Sequence, residues 1–257
     1  MNILYIGDIM GEPGVETVEK VLPKLRRDKK IDLVIAQSEN VSEGRGITMD
    51  DFKRLRKAGV DFCAAGNWSL YREDIIPAMS DPKQPIIRPA NYPEGTPGLG
   101  YKYVDGVLVV SLLGQIVGRD SDKPVDNPLQ VIDEILDREK PEIAVINLHG
   151  DFSSEKVIIG HYLDGRAALV VGDHWHVPTA DARVLTKGTA HITDVGMCGV
   201  LDASLGITLD SVIPRWRDGR QSRNELETKG AKQFNAVLVK ANKKGLADSI
   251  EQIQRIF

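Results

Sequence analysis

Residues 60–71 read VDFCAAGNWSLY, an apolar run that stops at a glycine and gives way to a polar loop. A short apolar run bounded by a turn signal predicts a buried strand over VDFCAA, with Gly66 and Asn67 where that strand ends. The same phrasing occurs twice upstream. NILYI (2–6) leads into the loop GDIMGEPG and a helical stretch near VETVEKVLPKLRR. DLVIA (32–36) leads into QSENVSEGRGI and a helix opening at Thr48, where TMDD places an aspartate three residues on, as a capping box does. Strand, polar loop and helix in repetition predict an α/β fold with largely parallel strands and right-handed crossovers. In such sheets ligands and chemistry gather at the carboxyl ends of strands.

Downstream the pattern changes. GYKYVDGVLVVSLLG (100–114) predicts a hairpin turning at Asp105-Gly106. A Pro-, Gly- and Asp-rich stretch runs to Pro128, and LQVIDEILDRE reads as a helix. The strand EIAVINL runs into the loop HGDFSSEK, the helix SSEKVIIGHYLDG follows, and the strand RAALVVG leads to DHWHVPTAD. ARVLTKGTAHIT reads as a second hairpin turning near Lys187-Gly188, and NAVLVKANKKG as a strand with a basic turn. No linker, low-complexity tract or repeat divides the chain, so one domain over 1–257 with a mixed sheet is expected.

The chain has 257 residues, 42% apolar and 27% charged, enough for one large α/β domain. Its net charge of -4 gives no basic footprint, which argues against a dedicated nucleic-acid backbone binder and leaves a small nucleotide open as substrate. Two cysteines make no disulfide framework: Cys63 reads as a buried free thiol, and Cys198 has no CxxC partner. The chain opens on a strand rather than a leader, and no apolar run is long enough to cross a bilayer. A cytoplasmic location without a membrane partner is expected, and a homo-oligomer is compatible with the sequence.

The strand ends offer Asp8, then Glu39-Asn40, then Asn67, then His149; a fifth offers His174 and His176 in GDHWH. These oxygen and imidazole donors, with no thiolate among them, suit Mn, Fe or Zn. A carboxylate bridging two ions, flanked by His and Asn, makes a two-metal cage, and paired ions activate water for in-line attack on phosphorus. Singly, each piece has a plainer reading: Asp8 as a turn former, Glu39-Asn40 as solvated loop. Together they point to one site. Other motifs fail: the glycines of GDIMGEPG lack the GxGxxG spacing, and there is no P-loop and no GxSxG elbow. His161, inside a helix, and His191, in a strand, read as structural.

IGDIMGEPG, SEN…GRGIT, GVD…GN, RPANYP…TPG.GY, SEK…YLDGR…VVG.H.HV.TAD and ITDVGM, in that order along nearly the whole chain, resemble the YmdB-type family of calcineurin-like metallophosphoesterases. The resemblance implies an α/β/β/α sandwich with mixed sheets, and a centre of two divalent or mixed-valence ions (Fe, Mn or Zn). It also implies phosphodiesterase activity on small nucleotides of the 2′,3′-cyclic class. Carried over by position, Asp8, Glu39, Asn40 and His176 hold one metal. Glu39 bridges to the second, which Asn67, His149 and His174 complete. Asp151 fills the acidic place two residues after His149. Arg88, in RPANYP, falls on a loop near the site, where it either pairs with a phosphate or tethers that loop through carbonyls. Tyr71 and Tyr92 are candidates to line the pocket.

The chain departs from the family in two loops, after DLVIA and after VDFCAA. The family's second-strand loop resembles NGEN and here is QSEN, which keeps both ligands. Its GNHTWD is here GNWSLY: Asn67 is kept, the histidine is Trp68, and Leu70 and Tyr71 stand for Trp and Asp. That histidine is the expected general acid for the leaving oxygen, and indole does not give up its N–H near neutral pH. A positioned general acid is worth about 100- to 10,000-fold. The loss should fall on poor leaving groups such as a ribose alkoxide. Two readings follow. One is a phosphodiesterase in which a metal-bound water, Tyr71 or Asp151 serves instead and Trp68 stacks on a base. The other is a catalytically weak, metal-containing nucleotide-binding or regulatory protein. A metal-free structural homologue is a third, against which the intact ligand set weighs.

Overall fold

The computed structural model describes residues 1–117 and 124–257. Part of the Pro-, Gly- and Asp-rich stretch before Pro128 therefore lies outside the described residues. In chain order the elements are β1 Asn2–Ile6, β2 Asp8–Ile9, α1 Gly11–Asp28, β3 Leu33–Gln37, α2 Met49–Ala58, β4 Phe62–Ala64 and α3 Ile76–Ser80. Then come β5 Tyr101–Val104, β6 Val107–Leu113, α4 Pro128–Glu139, β7 Ile143–His149, α5 Ser153–Tyr162, β8 Leu169–Asp173, β9 Arg183–Val184 and β10 Ala190–Ile192. The chain closes with β11 Met197–Val200, α6 Leu209–Asp218, β12 Lys232–Ala241 and β13 Ala247–Ile256.

Two mixed sheets form. The first has the order β2-β11-β12-β1-β3-β4 with β13 on β12, and the second β5-β6-β7-β8-β10-β9. The repeated strand-loop-helix units give the parallel pairs β1–β3 and β3–β4, and β6, β7 and β8 are parallel in the second sheet. The sheets stack because their strands bury both faces. Ile3, Tyr5, Leu33, Ile35 and Phe62 face Val109, Val145, Leu169, Val171 and Ile192 across the middle. The alternate residues Leu4, Ile6, Val34 and Ala36 pack outward with Val18, Leu22 of α1 and Phe52, Leu55 of α2. On the far side Val110, Ile146 and Val170 meet Ile132 of α4 and Ile159 of α5. Period-two alternation with both faces apolar yields the α/β/β/α sandwich.

Local signals act as read. Thr48 caps α2 by accepting from the Asp51 N–H at 3.3 Å. The turn between β5 and β6 holds Asp105 at φ 48° and Gly106 at φ 81°, the paired positive values a two-residue hairpin needs. Cys63 and Cys198 are both buried free thiols. The stretch GDIMGEPG differs from its reading as loop: Asp8-Ile9 pairs with β11, and α1 begins at Gly11. Glu12 and Pro13 occupy the first helical turn, where a carboxylate and a missing N–H are both favourable. Among the described residues no helix is long and apolar enough to cross a membrane.

Candidate metal centre

The two layers each supply part of one constellation. From the first sheet come Asp8, which opens β2 just past the end of β1, Glu39 and Asn40 after β3, and Asn67 after β4. From the second come His149, the last residue of β7, and His174 and His176 after β8. Asp8, Glu39 and His149 are fully or almost fully buried, and Asn40 and His176 nearly so.

Short hydrogen bonds shape each loop. The Gln37 side-chain carbonyl accepts the Ser38 and Glu39 N–H groups at 3.0 and 3.3 Å, turning the chain at the end of β3. Asn40 donates its amide to the Gly44 carbonyl, which aims its Oδ1 at His176. Gly66 is required by proximity: a Cβ there would meet Glu39 Oε2 and His149 Cδ2, each at 2.4 Å. The next residue but one holds the same Glu39 oxygen, the Trp68 N–H donating to Oε2 at 3.0 Å. His174 and His176 hold φ of 99° and 63°. Positive φ at two non-glycine residues costs of order 1–3 kcal/mol each and persists where the surroundings impose it.

The donor atoms converge in two places. His149 Nδ1 lies 2.6 Å from Asp173 Oδ1, so its proton sits on that side and Nε2 offers a lone pair when the ring is neutral. Around Nε2 stand Glu39 Oε1 at 2.9 Å, His174 Nδ1 at 2.9 Å and Asn67 Oδ1 at 3.0 Å. The other nitrogen of His174 faces Asp151 Oδ1 at 3.3 Å. Glu39, His149 and His174 present ligand atoms within 4.8 Å of one another, a spacing that fits one ion. In the second place His176 donates Nδ1–H to the Leu205 carbonyl at 3.1 Å, and its Nε2 faces Asn40 Oδ1 at 3.3 Å and Asp8 Oδ1 at 3.8 Å. Asp8 Oδ1 is buried and has no hydrogen-bond partner, while Oδ2 accepts the His174 N–H at 3.2 Å.

Electrostatics agree that positive charge belongs here. Burial, and then the neighbouring Asp173, raise the Asp8 pKa well above the carboxylate range, so its negative charge wants a counter-charge. Burial opposes protonation of His149, but Glu39 and Asp173 outweigh it and raise its pKa well above the ordinary value. His176 behaves differently: burial lowers it to about 4, so it stands neutral as a ligand must. These oxygens and imidazoles fit hard or borderline divalent ions.

Asp173 was not singled out from the sequence. It accepts from Tyr5 OH at 2.8 Å, Gln37 Nε2 at 3.0 Å and Asn147 Nδ2 at 2.5 Å while orienting His149. Lys156 was likewise missed. It is buried, donates to the Asp173 carbonyl and to Asp194 Oδ2, and lies 4.1 Å from the Trp175 ring centroid, bracing the loop that carries both histidines.

The remaining candidates separate. Trp68, Tyr71 and Asp151 line a cleft of about 850 Å³ with Glu39, His174 and His176. Trp68 meets Tyr71 edge-on at 5.5 Å and carries Arg45 over its ring at 4.7 Å. On its other side Trp68 borders an apolar pocket of about 520 Å³ shared with Tyr71, Tyr92 and Val117. Arg88 is not brought to this cleft. Its guanidinium donates to the carbonyls of Pro89, Thr96 and Pro97, the tethering role rather than the phosphate-binding one. His161 lies in α5 and His191 in β10, apart from the donors.

Two stacked mixed sheets flanked by helices, with oxygen and imidazole donors gathered at their strand ends, define a calcineurin-like metallophosphoesterase. The chain belongs to the family described as YmdB-like protein, whose model matches residues 4–253. A 2′,3′-cyclic-nucleotide 2′-phosphodiesterase of Bacillus subtilis (strain 168) is 39% identical over 219 residues, 84% of this chain and 83% of that one. The crystal structure of a novel phosphatase from Mycoplasma pneumoniae aligns with a TM-score of 0.92 at 26% identity, over 100% of this chain and 93% of its own. That of a hypothetical protein from Thermus thermophilus aligns at 0.90 with 36% identity, over 100% and 99%.

Proposed function

We propose that this protein is a dimetal phosphodiesterase acting on small nucleotides of the 2′,3′-cyclic class, with Trp68 standing where the family pattern GNHTWD implies a general-acid histidine. The observation that carries the reading is the convergence of Glu39 Oε1, Asn67 Oδ1 and His174 Nδ1 on His149 Nε2, all within 3.0 Å. The name of the Bacillus subtilis relative supports the substrate class.

Asp8, Glu39, Asn40 and His176 would hold one ion, and Glu39, Asn67, His149 and His174 the other. Bound there, the ions supply Lewis acidity and an activated water for in-line attack on phosphorus. The chain's own residues do the rest. Asp173 holds the His149 ring in one tautomer and orientation. Trp68 and Tyr71 wall the cleft beside the ligands and offer an aromatic face to a base. Neither the indole nor its backbone N–H, already given to Glu39, delivers a proton to a leaving oxygen. Asp151, on the cleft wall with an oxygen 3.3 Å from His174 Nε2, is the acid candidate.

Steady-state hydrolysis of 2′,3′-cyclic AMP and of bis-p-nitrophenyl phosphate by Mn-loaded protein, with Trp68→His alongside, tests the reading. The native protein is expected to cleave the activated ester and to lag on the cyclic nucleotide, and Trp68→His to narrow that gap. Good turnover of the cyclic nucleotide with no gain from Trp68→His removes the missing-acid argument. Two bound metals, nucleotide binding and no cleavage of either ester would make the protein a metal-containing nucleotide-binding protein instead.

A further inference from the structure

Beyond the metal ligands the cleft changes character. Its outer wall is formed by Arg45, Arg215 and Arg223, and these three also line an adjoining cavity of about 740 Å³ with Arg220, Gln221 and Ser222. The two hollows share that arginine wall and read as one groove. Four arginines fall within residues 215–223, a concentration that a net charge of -4 conceals.

Not all the arginine charge in this region is neutralised within the chain. Arg217 and Arg220 are paired with Asp218, and Arg72 with Glu43. Among the described residues no carboxylate pairs with Arg45, Arg215 or Arg223. Arg215 uses Nη2 on neutral partners, the Ser222 carbonyl and hydroxyl and Asn224 Oδ1, which fixes the guanidinium in place. Arg45 lies over Trp68. On the same cleft stands Trp216, 78% exposed, the most exposed of the large apolar side chains among the described residues. Uncompensated guanidinium groups tracking away from a phosphodiester site, with exposed aromatic faces between them, are how proteins hold a single strand without reading its sequence.

We infer that this groove binds a linear single-stranded oligonucleotide. A phosphodiester lies at the metal ligands, flanking phosphates at Arg45, Arg215 and Arg223, and a base against Trp216. The inference rests on the phosphodiesterase reading and goes beyond it: besides small cyclic nucleotides, the site takes a substrate that carries further phosphates beyond the one cleaved. In the cleavage water forms a new P–O bond, the bond to the leaving ribose oxygen breaks, and that oxygen departs with a proton, leaving a phosphomonoester and an alcohol.

The test is equilibrium binding of Mn-loaded protein to pentaadenylate and to 2′,3′-cyclic AMP at several salt concentrations, with bis-p-nitrophenyl phosphate hydrolysis measured separately. Pentaadenylate is expected to bind at least about tenfold more tightly, with a slope of log affinity on log salt near −2, since a single strand releases about 0.7 counterion per phosphate contact. The double variant Arg45→Gln/Arg223→Gln should reduce the slope to about −0.7. Trp216→Ala should weaken pentaadenylate binding roughly tenfold, in the range of base stacking. Arg217→Gln, whose charge is already paired, should leave it unchanged, and thermal melts establish that each variant is folded. Equal affinity for the two nucleotides, or pentaadenylate binding indifferent to these substitutions, overturns the inference. So does tripolyphosphate binding as tightly as pentaadenylate with no effect of Trp216→Ala, which would make the groove a polyphosphate site. If the activated ester is cleaved and the oligonucleotide is not bound, the groove reading alone fails. If the oligonucleotide binds as expected and the ester is untouched, the phosphodiesterase reading alone fails.

Discussion

His149 Nδ1 and Asp173 Oδ1 lie 2.6 Å apart with both side chains fully buried, a contact made across neighbouring parallel strands. Asp173 is in turn held by three further donors, so the imidazole has one orientation available. Asp173→Asn should lower metal affinity about 10- to 100-fold, the usual cost of losing a partner that orients a ligating histidine. Metal content after dialysis against graded chelator would measure it. Tyr5→Phe, which removes one of the supporting donors, should cost less.

Gly66→Ala should reduce phosphodiester hydrolysis at least about 100-fold, because the new methyl overlaps Glu39 and His149 and must displace a ligand. Circular dichroism should remain native. Full activity would mean that both ligands can retreat without consequence.

Lys156 and Asp194 form a fully buried ion pair 2.9 Å apart. Removing one partner of such a pair leaves an uncompensated charge and typically costs about 3–5 kcal/mol. Lys156→Met should lower stability to urea by about that amount, and Lys156→Met/Asp194→Asn should recover part of it. A single variant as stable as the native protein would show that Asp194 is neutral when its partner is gone.

Asp181 gives a prediction for acid. Partial burial works to raise its pKa, but hydrogen bonds from Thr179 and Thr193 outweigh it and hold it below the ordinary 3.8. A carboxylate depressed in the folded state contributes stability above its unfolded pKa and loses it as pH falls through the folded value. The contribution is therefore present at about pH 5 and fades below about 3.8. Asp181→Asn should flatten that acid limb in urea titrations between roughly pH 5 and pH 2.5. An unchanged limb would assign the acid sensitivity to other carboxylates.

Much of this architecture was legible where apolar runs end on polar residues. VDFCAA, NILYI, DLVIA, EIAVINL and RAALVVG stop at the residues that gather around His149, because a buried strand must end where backbone and polar side chains find partners. What escaped reading lacked that contrast. Among the described residues β13 pairs only with β12, and it exposes most of its side chains, so ADSIEQIQRI shows no apolar alternation. Strand β11 is four residues around a glycine. Helix α6 contains Pro214, buries Val212, and turns Leu209, Ile213 and Trp216 outward, the reverse of the usual amphipathic pattern. Asp173 read as the first residue of the loop DHWHVPTAD, since its role depends on a neighbour 24 positions away. Arg88 illustrates the opposite limit: a motif placed it near the site, and only geometry revealed that its donors are engaged by carbonyls.

The proposed ligands are divided between the sheets: Asp8, Glu39, Asn40 and Asn67 belong to one layer and His149, His174 and His176 to the other. The centre is therefore a rivet through a seam. A small slip of one layer over the other, too slight to melt a strand, would pull the donors out of reach. Catalytic competence then gauges the closeness of the interlayer fit, and on gentle heating or mild denaturant it should vanish while the helices and sheets are still intact.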